Sequence, residues 1–154
     1  MDMTKRVSDS DAFNTPQFFY DQLNRIFSFE IDAACDSSNI KAPVGFCYDL
    51  GINGLSKPWI GRVFVNPPFS KKQEWIEKAI QEVESGNCPI CVMILPLNCI
   101  SADAFFNKVI MGGYMYEILN RRIQFLDNVT KKPVPGNDTG TVVVYFKKRL
   151  CNGT

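Results

Sequence analysis

Arg62-Val63-Phe64-Val65-Asn66-Pro67-Pro68-Phe69 is the stretch that decides the reading of this 154-residue chain. Arg62 to Val65 is β-branched and aromatic, as a buried strand requires. Asn66-Pro67-Pro68 then stops it, because proline cannot donate to a strand ladder. A strand therefore delivers a rigid loop at its carboxyl end, the edge at which open α/β sheets bind ligands. The loop is rich in acceptors: the Asn66 carboxamide oxygen and the proline carbonyls. Phe69 adds a flat apolar face. An exocyclic amino group on a nucleobase is a poor nucleophile, because its lone pair is delocalised into the ring. Two acceptors, the Asn66 oxygen and the Pro67 carbonyl, can bind its two N–H groups and turn the lone pair toward an electrophile. Phe69 can stack on the base, which must be flipped out or single-stranded to reach the loop. The competing reading is a stiff strand-ending turn without chemistry.

The flanking sequence extends the alternation of strand and helix. Pro16 to Phe27 predicts a helix with Thr15 as N-cap, Pro16 at the first helical position, and Phe19, Leu23 and Ile26 on its buried face. Ser28 to Ala34 predicts a strand ending near Asp32, and Cys47 to Leu50 a short one. Ser70 to Glu84 predicts a helix capped by Ser70, with Trp75, Ile76, Ala79, Ile80 and Val83 as its apolar stripe. Gly86-Asn87 ends it. Ile90 to Leu95 is a continuous apolar run, the mark of a strand covered on both faces. Ala102 to Ile110 predicts a helix with Phe105, Phe106 and Val109 inside. Tyr116–Leu119, Arg122–Phe125 and Thr141–Phe146 are strand material, around a polar loop at 127–140. The expected fold is α/β in three layers, with a mainly parallel sheet and an antiparallel C-terminal strand. Residues 1–13 read as a flexible N-terminus and 14–150 as a single domain.

Composition narrows the function classes. Hydrophobic residues are 45% and charged residues 21%, so the chain can bury a core and is not of disordered type. No apolar run reaches the ~18–20 residues of a membrane span. Formal charge is +1, yet residues 121–154 hold seven basic and two acidic side chains. That basic third faces an anionic partner such as nucleic acid, or is solvated surface. The six cysteines follow an N-terminus without a secretory apolar region, so free thiols and a cytoplasmic location are expected. Cys88-Pro-Ile-Cys91 lacks the partners of a zinc site and reads as buried core, so no metal is expected. Zero histidines remove Ser–His–Asp and Cys–His catalysis.

Asn66-Pro67-Pro68-Phe69 matches the [DNS]PP[YFW] motif of amino-group methyltransferases. Further pieces follow in order: Thr15-Pro16 with Phe18-Phe19, Phe29-Glu30-Ile31-Asp32-Ala33-Ala34, Asn39, Asn53-Gly54-Leu55, Trp59-Ile60-Gly61-Arg62-Val63, Trp75, Leu95-Pro96 and Arg122-Ile123-Gln124-Phe125. Over roughly residues 14–146 the chain resembles the small phage-type, Dam-like DNA N6-adenine methyltransferases. The resemblance implies an abridged Rossmann-like fold, S-adenosylmethionine as cofactor and DNA as partner. It implies Asn66, Pro67, Pro68 and Phe69 as the catalytic loop, with Thr15, Pro16, Asp32, Ala33, Asn53 and Asn66 on the cofactor side. Phe69, Arg122, Lys131 and Lys132 are the candidate nucleic-acid contacts. For Arg122 a surface ion pair, and for the lysine loop a solvated hairpin, are equal alternatives.

The sequence departs from that pattern at three places. Ala33-Ala34-Cys35-Asp36 replaces the glycine loop of larger methyltransferases, Asn53 stands where an aspartate is usual, and Arg121 replaces a glycine. Only 33 residues separate Asp32 from Asn66, and no room remains for a separate target-recognition domain. Asp49 reads as a ribose contact or a turn residue, Trp59 and Trp75 as core. The competing functions are methylation of another planar amino group (cytosine N4, RNA adenine, protein glutamine) and a non-catalytic remnant that binds DNA or cofactor.

Overall fold

The computed structural model describes residues 13–119, 126–127 and 140–150, without the side chains of 13, 14, 69, 126 and 127. The strands are β1 (Phe13–Asn14), β2 (Ile31–Cys35), β3 (Val44–Cys47), β4 (Val63–Val65), β5 (Cys91–Pro96), β6 (Met115–Leu119), β7 (Leu126–Asp127) and β8 (Thr141–Phe146). The α-helices are α1 (Gln17–Phe27) and α2 (Lys72–Glu84). Six strands form one sheet in the order β3-β2-β4-β5-β8-β6, and β1 pairs with β7 apart from it. β3, β2, β4 and β5 run parallel, while β8 is antiparallel to both β5 and β6. This is the mixed α/β sheet the sequence predicts, mostly parallel with an antiparallel final strand.

Side-chain alternation assigns each helix to a face. Val63 and Val65 of β4 and Met93 and Leu95 of β5 face Trp75, Ile76, Ala79 and Val83 of α2. Phe64, Val92 and Ile94 face the other way, toward Phe19, Tyr20 and Leu23 of α1. The ring of Phe64 meets Tyr20 edge-on at 5.0 Å and Phe29 at 5.5 Å. Burial on both faces explains why β4 and β5 read as unbroken apolar runs. Cys88 and Cys91 are buried as expected, and the five described cysteines are all free. No described helix is long and apolar enough to cross a membrane.

Several local expectations are corrected. β2 does not end near Asp32 but runs on to Cys35, with a register shift against β3 between those two residues. Small Ala33 makes this possible by fitting into the core with Trp59 and Trp75. Pro16, not Thr15, is the N-cap of α1, and its carbonyl accepts from the N–H groups of Phe19 and Tyr20 at 3.1 and 3.2 Å. Ile26 is exposed, because the buried stripe centres on Phe19, Tyr20 and Leu23 and leaves Ile26 on its flank. Phe27 turns inward instead and packs against Phe29 and Tyr145.

Ser70 is no cap either. It lies inside a 3-10 turn, Phe69–Lys71, and α2 begins after it with Lys71 as N-cap. Gly86, at φ +91°, lets the chain leave α2 where Gly86-Asn87 was expected to end it. The helix predicted over 102–110 is realised as a π-helix, Phe105–Ile110. Its wider turn is closed by the Met111 N–H on the Phe106 carbonyl at 2.9 Å. Phe105 and Val109 stay buried, while Phe106 turns outward to 49% exposure.

A buried carboxylate joins the loop before β4 to α2. Glu82 Oε1 accepts from the Trp59 backbone N–H at 2.7 Å, and Oε2 pairs with Lys78 Nζ at 3.1 Å. Burial pushes the Glu82 carboxyl up, but the Trp59 N–H, Lys78 and Asn87 more than offset this and hold it below its ordinary value. Glu82→Ala strands the Trp59 N–H and is expected to lower stability by about 2–3 kcal/mol. Lys78→Ala leaves that bond and is expected to lower it by about 1 kcal/mol. Urea midpoints of the two variants check the order.

Candidate active site

The carboxyl edge of the sheet gathers residues from three separate segments. Val63, Phe64 and Val65 are wholly buried, so β4 is a fixed base for the loop it delivers. Pro67 and Pro68 are buried beyond it, and the Pro68 carbonyl accepts from the Lys71 N–H at 3.1 Å. Asn66 itself is half-buried. Alternation places Asn66 on the α1 side of the sheet, like Phe64 two residues earlier. There its carboxamide Nδ2 donates to Thr15 Oγ1 at 3.1 Å, across 51 residues of sequence. Thr15 is buried just ahead of α1. The sequence reading placed Thr15 at the cofactor side and as a helix cap. The structure gives the cap to Pro16 and brings the Thr15 hydroxyl to the loop.

Asp32 lies level with Phe64 on the neighbouring strand β2. It is thus two residues back from Asn66, about 7 Å along the strand direction. Only 2% of its surface is exposed. Oδ2 accepts from the Lys41 backbone N–H at 3.0 Å, while Oδ1 has no hydrogen-bond partner among the described residues. Burial pushes the Asp32 carboxyl up from 3.8 to about 7, against the pull of the Lys41 and Ala34 N–H groups and the Lys41 charge. Lys41 Nζ also bonds Gln17 Oε1 at 3.0 Å and Asn39 Oδ1 at 3.1 Å. The loop after β2 is thereby tied to the first residue of α1. Sequence reading missed Lys41 and Gln17, since no spacing pairs them with Asp32.

The raised carboxyl has a consequence for stability. The folded protein binds the Asp32 proton more tightly than the unfolded chain, so rising pH disfavours folding between the two pKa values. Stability is expected to fall from about pH 4 to about pH 7 by the order of 2–4 kcal/mol and to level off above. Asp32→Asn removes that slope. Urea unfolding of both proteins at pH 5, 6, 7 and 8 checks it, and parallel curves would refute it.

Other candidates occupy structural positions. Ala33 is sealed in the core, so only its backbone remains for a ligand. Its carbonyl abuts Gly54, where an added Cβ would lie 2.0 Å from that oxygen. Asn53 Oδ1 caps the 3-10 turn Gly54–Ser56 by accepting from the Leu55 N–H at 3.0 Å. Asp49 sits in the 3-10 turn Tyr48–Leu50 and accepts from the Ser37 N–H at 2.9 Å. Trp59 and Trp75 are core as expected, stacked with ring centres 6.1 Å apart. The Phe69 side chain, Arg122, Lys131 and Lys132 lie outside the described residues, as does the strand expected at Arg122–Phe125. Beside the loop, a cleft of about 280 Å³ opens between the start of α2 and the segment after β5, lined by Ser70, Gln73, Ile76, Cys99, Asp103 and Phe105.

Fold and site together define a class: an α/β protein that presents an Asn-Pro-Pro-Phe acceptor loop at the carboxyl edge of its sheet, beside a buried acid. Residues 2–151 match the family described as DNA N-6-adenine-methyltransferase (Dam), and the chain belongs to that family. Two curated phage proteins, each called DNA N-6-adenine-methyltransferase, are similar to it. That of Haemophilus phage HP1 (strain HP1c1) is 24% identical over 159 residues, which cover 99% of this chain and 89% of that protein. That of Escherichia phage T1 is 27% identical over 159 residues, covering 90% of this chain and 63% of that protein.

Proposed function

We propose that this chain methylates the exocyclic N6 amino group of adenine in DNA, as a single abridged Rossmann-like domain over residues 14–150 that takes S-adenosylmethionine as donor. Membership of the Dam family sets the reaction class. The observation that carries the residue-level reading is the Asn66 carboxamide, held at the carboxyl end of fully buried β4 by its bond to Thr15. Methylation of DNA carried in a host cell places the protein in the cytoplasm.

The residues present fit the cofactor. Asp32 Oδ1 is a buried acceptor without a donor among the described residues, and S-adenosylmethionine carries an ammonium group and ribose hydroxyls that donate. Asp32 and the backbones of Ala33 and of the Thr15-Pro16 segment would hold it. Asn53 would add its amide nitrogen, its oxygen being engaged in the turn. When bound, S-adenosylmethionine supplies an electrophilic methyl group.

The chain's own part is to prepare the nucleophile. The Asn66 oxygen and the Pro67 carbonyl accept the two N6 hydrogens, which draws the nitrogen toward tetrahedral geometry and stabilises the positive charge that develops on it. Phe69 stacks on the extruded base. Arg122, Lys131 and Lys132 meet backbone phosphates. The surplus proton leaves N6 for water, with no covalent enzyme intermediate.

The test is incubation with methyl-labelled S-adenosylmethionine and unmethylated duplex DNA, followed by digestion to nucleosides. Label in N6-methyladenine is the expected result. Label in N4-methylcytosine, or only with RNA or protein, would replace the substrate and keep the loop chemistry. No label with measurable DNA binding would favour a non-catalytic remnant.

A further inference from the structure

We infer that Thr15 is a positioning residue that holds the Asn66 carboxamide in the orientation that meets the target amino group. The inference rests on the methyl-transfer reading above and adds a residue to it. A carboxamide is chemically two-faced: one end accepts and the other donates. Only the oxygen suits an amino group whose hydrogens must be bound. Rotation of the Asn66 amide by half a turn would present Nδ2 to that amino group, donor against donor. The Thr15 hydroxyl accepts from Nδ2 at 3.1 Å, which ties down the amide with its nitrogen at Thr15 and its oxygen at the other end.

Thr15 is itself well fixed. Its side chain is buried, 2% exposed, and Pro16 follows it with φ −58° and ψ 138° as the N-cap of α1. α1 is locked to the sheet through Phe19, Tyr20 and Leu23 against Phe64, the residue two before Asn66. Both ends of the Thr15–Asn66 bond are therefore anchored to the same strand, one through the backbone and one through the helix. A hydroxyl carried by a rigid element can orient a side chain that a mobile one cannot.

The test uses the full chain with Thr15→Val, which keeps the shape and removes the acceptor, and Thr15→Ser, which keeps the acceptor. Steady-state kcat and KM for DNA, S-adenosylmethionine affinity by calorimetry, and Tm are measured for each. Thr15→Val is expected to lower kcat about tenfold, at nearly unchanged KM and cofactor affinity, as loss of one orienting hydrogen bond should. Thr15→Ser is expected to restore most of that loss.

An unchanged kcat in Thr15→Val overturns the inference. A loss confined to cofactor affinity also overturns it and makes Thr15 a cofactor contact. Absence of methylation by the unaltered protein would instead defeat the underlying reading, so the two failures are distinct.

Discussion

Asn66→Ala is expected to lower the methyl-transfer rate by at least about 100-fold, the loss typical of removing a preorganised polar group that meets developing charge. The same variant should fold normally. Asn66 is half-buried, and its link to Thr15 is a single hydrogen bond. Loss of one such bond is worth about 1 kcal/mol, or about 2–4 °C in Tm for a chain of this size. Affinity for S-adenosylmethionine should change little, because Asp32 lies on a different strand and is held by Lys41, not by Asn66. The expected pattern is therefore a collapse in kcat with retained Tm and retained cofactor binding. Single-turnover label transfer with calorimetry on the same preparation reads all three. A rate within about threefold of the unaltered protein would reduce the loop to a strand-ending turn and return the chemistry to other residues. A proportionate fall in Tm would show that Asn66 is needed first for the fold.

How much of this was legible in the sequence depends on the range of the interaction. β4, β5 and β8 were readable because burial on both faces makes each an apolar run, and α2 because Trp75, Ile76, Ala79 and Val83 repeat at helical spacing. The Asn-Pro-Pro-Phe loop was readable because its chemistry is local. The Thr15–Asn66 bond was not: nothing in either segment records a partner 51 residues away. Thr15 before Pro16 looked like a helix cap, and only the folded chain shows its hydroxyl meeting Asn66 in the loop after β4. Asp32 was identified, but not its place inside β2, because Ala33 and Cys35 carry no pattern that marks them as strand until Trp59 and β3 pack on them. Ser70 failed as a cap for a related reason: the chain needs a 3-10 turn after Pro68 before α2 can begin. The insertion of β8 between β5 and β6 is a property of the sheet, invisible to any local window.

Gly54→Ala is expected to destabilise the protein by about 3 kcal/mol or more, although it adds one methyl group outside any α-helix or strand. The added carbon would lie 2.0 Å from the Ala33 carbonyl oxygen and 3.0 Å from Trp75 Cη2. Neither neighbour can move freely. The Ala33 carbonyl belongs to β2, which is paired on one side with β3 and on the other with β4. Trp75 is stacked on Trp59, whose indole N–H donates to the Gly54 carbonyl at 2.9 Å. The turn itself must therefore shift, which strains the Asn53 cap on the Leu55 N–H and the Trp59 bond together. For a chain of this size the expected fall in Tm is about 6–12 °C. Function should suffer beyond stability. The turn that shifts carries Asn53, whose amide nitrogen is assigned to the cofactor, so S-adenosylmethionine affinity should fall at temperatures where the variant is still folded. Thermal unfolding, and calorimetry well below the variant's Tm, separate the two effects. A Tm within about 2 °C of the unaltered protein would mean that β2 yields where its pairing says it cannot. A large drop in Tm with unaltered cofactor affinity would place the cofactor away from the Asn53 turn and the Ala33–Gly54 contact.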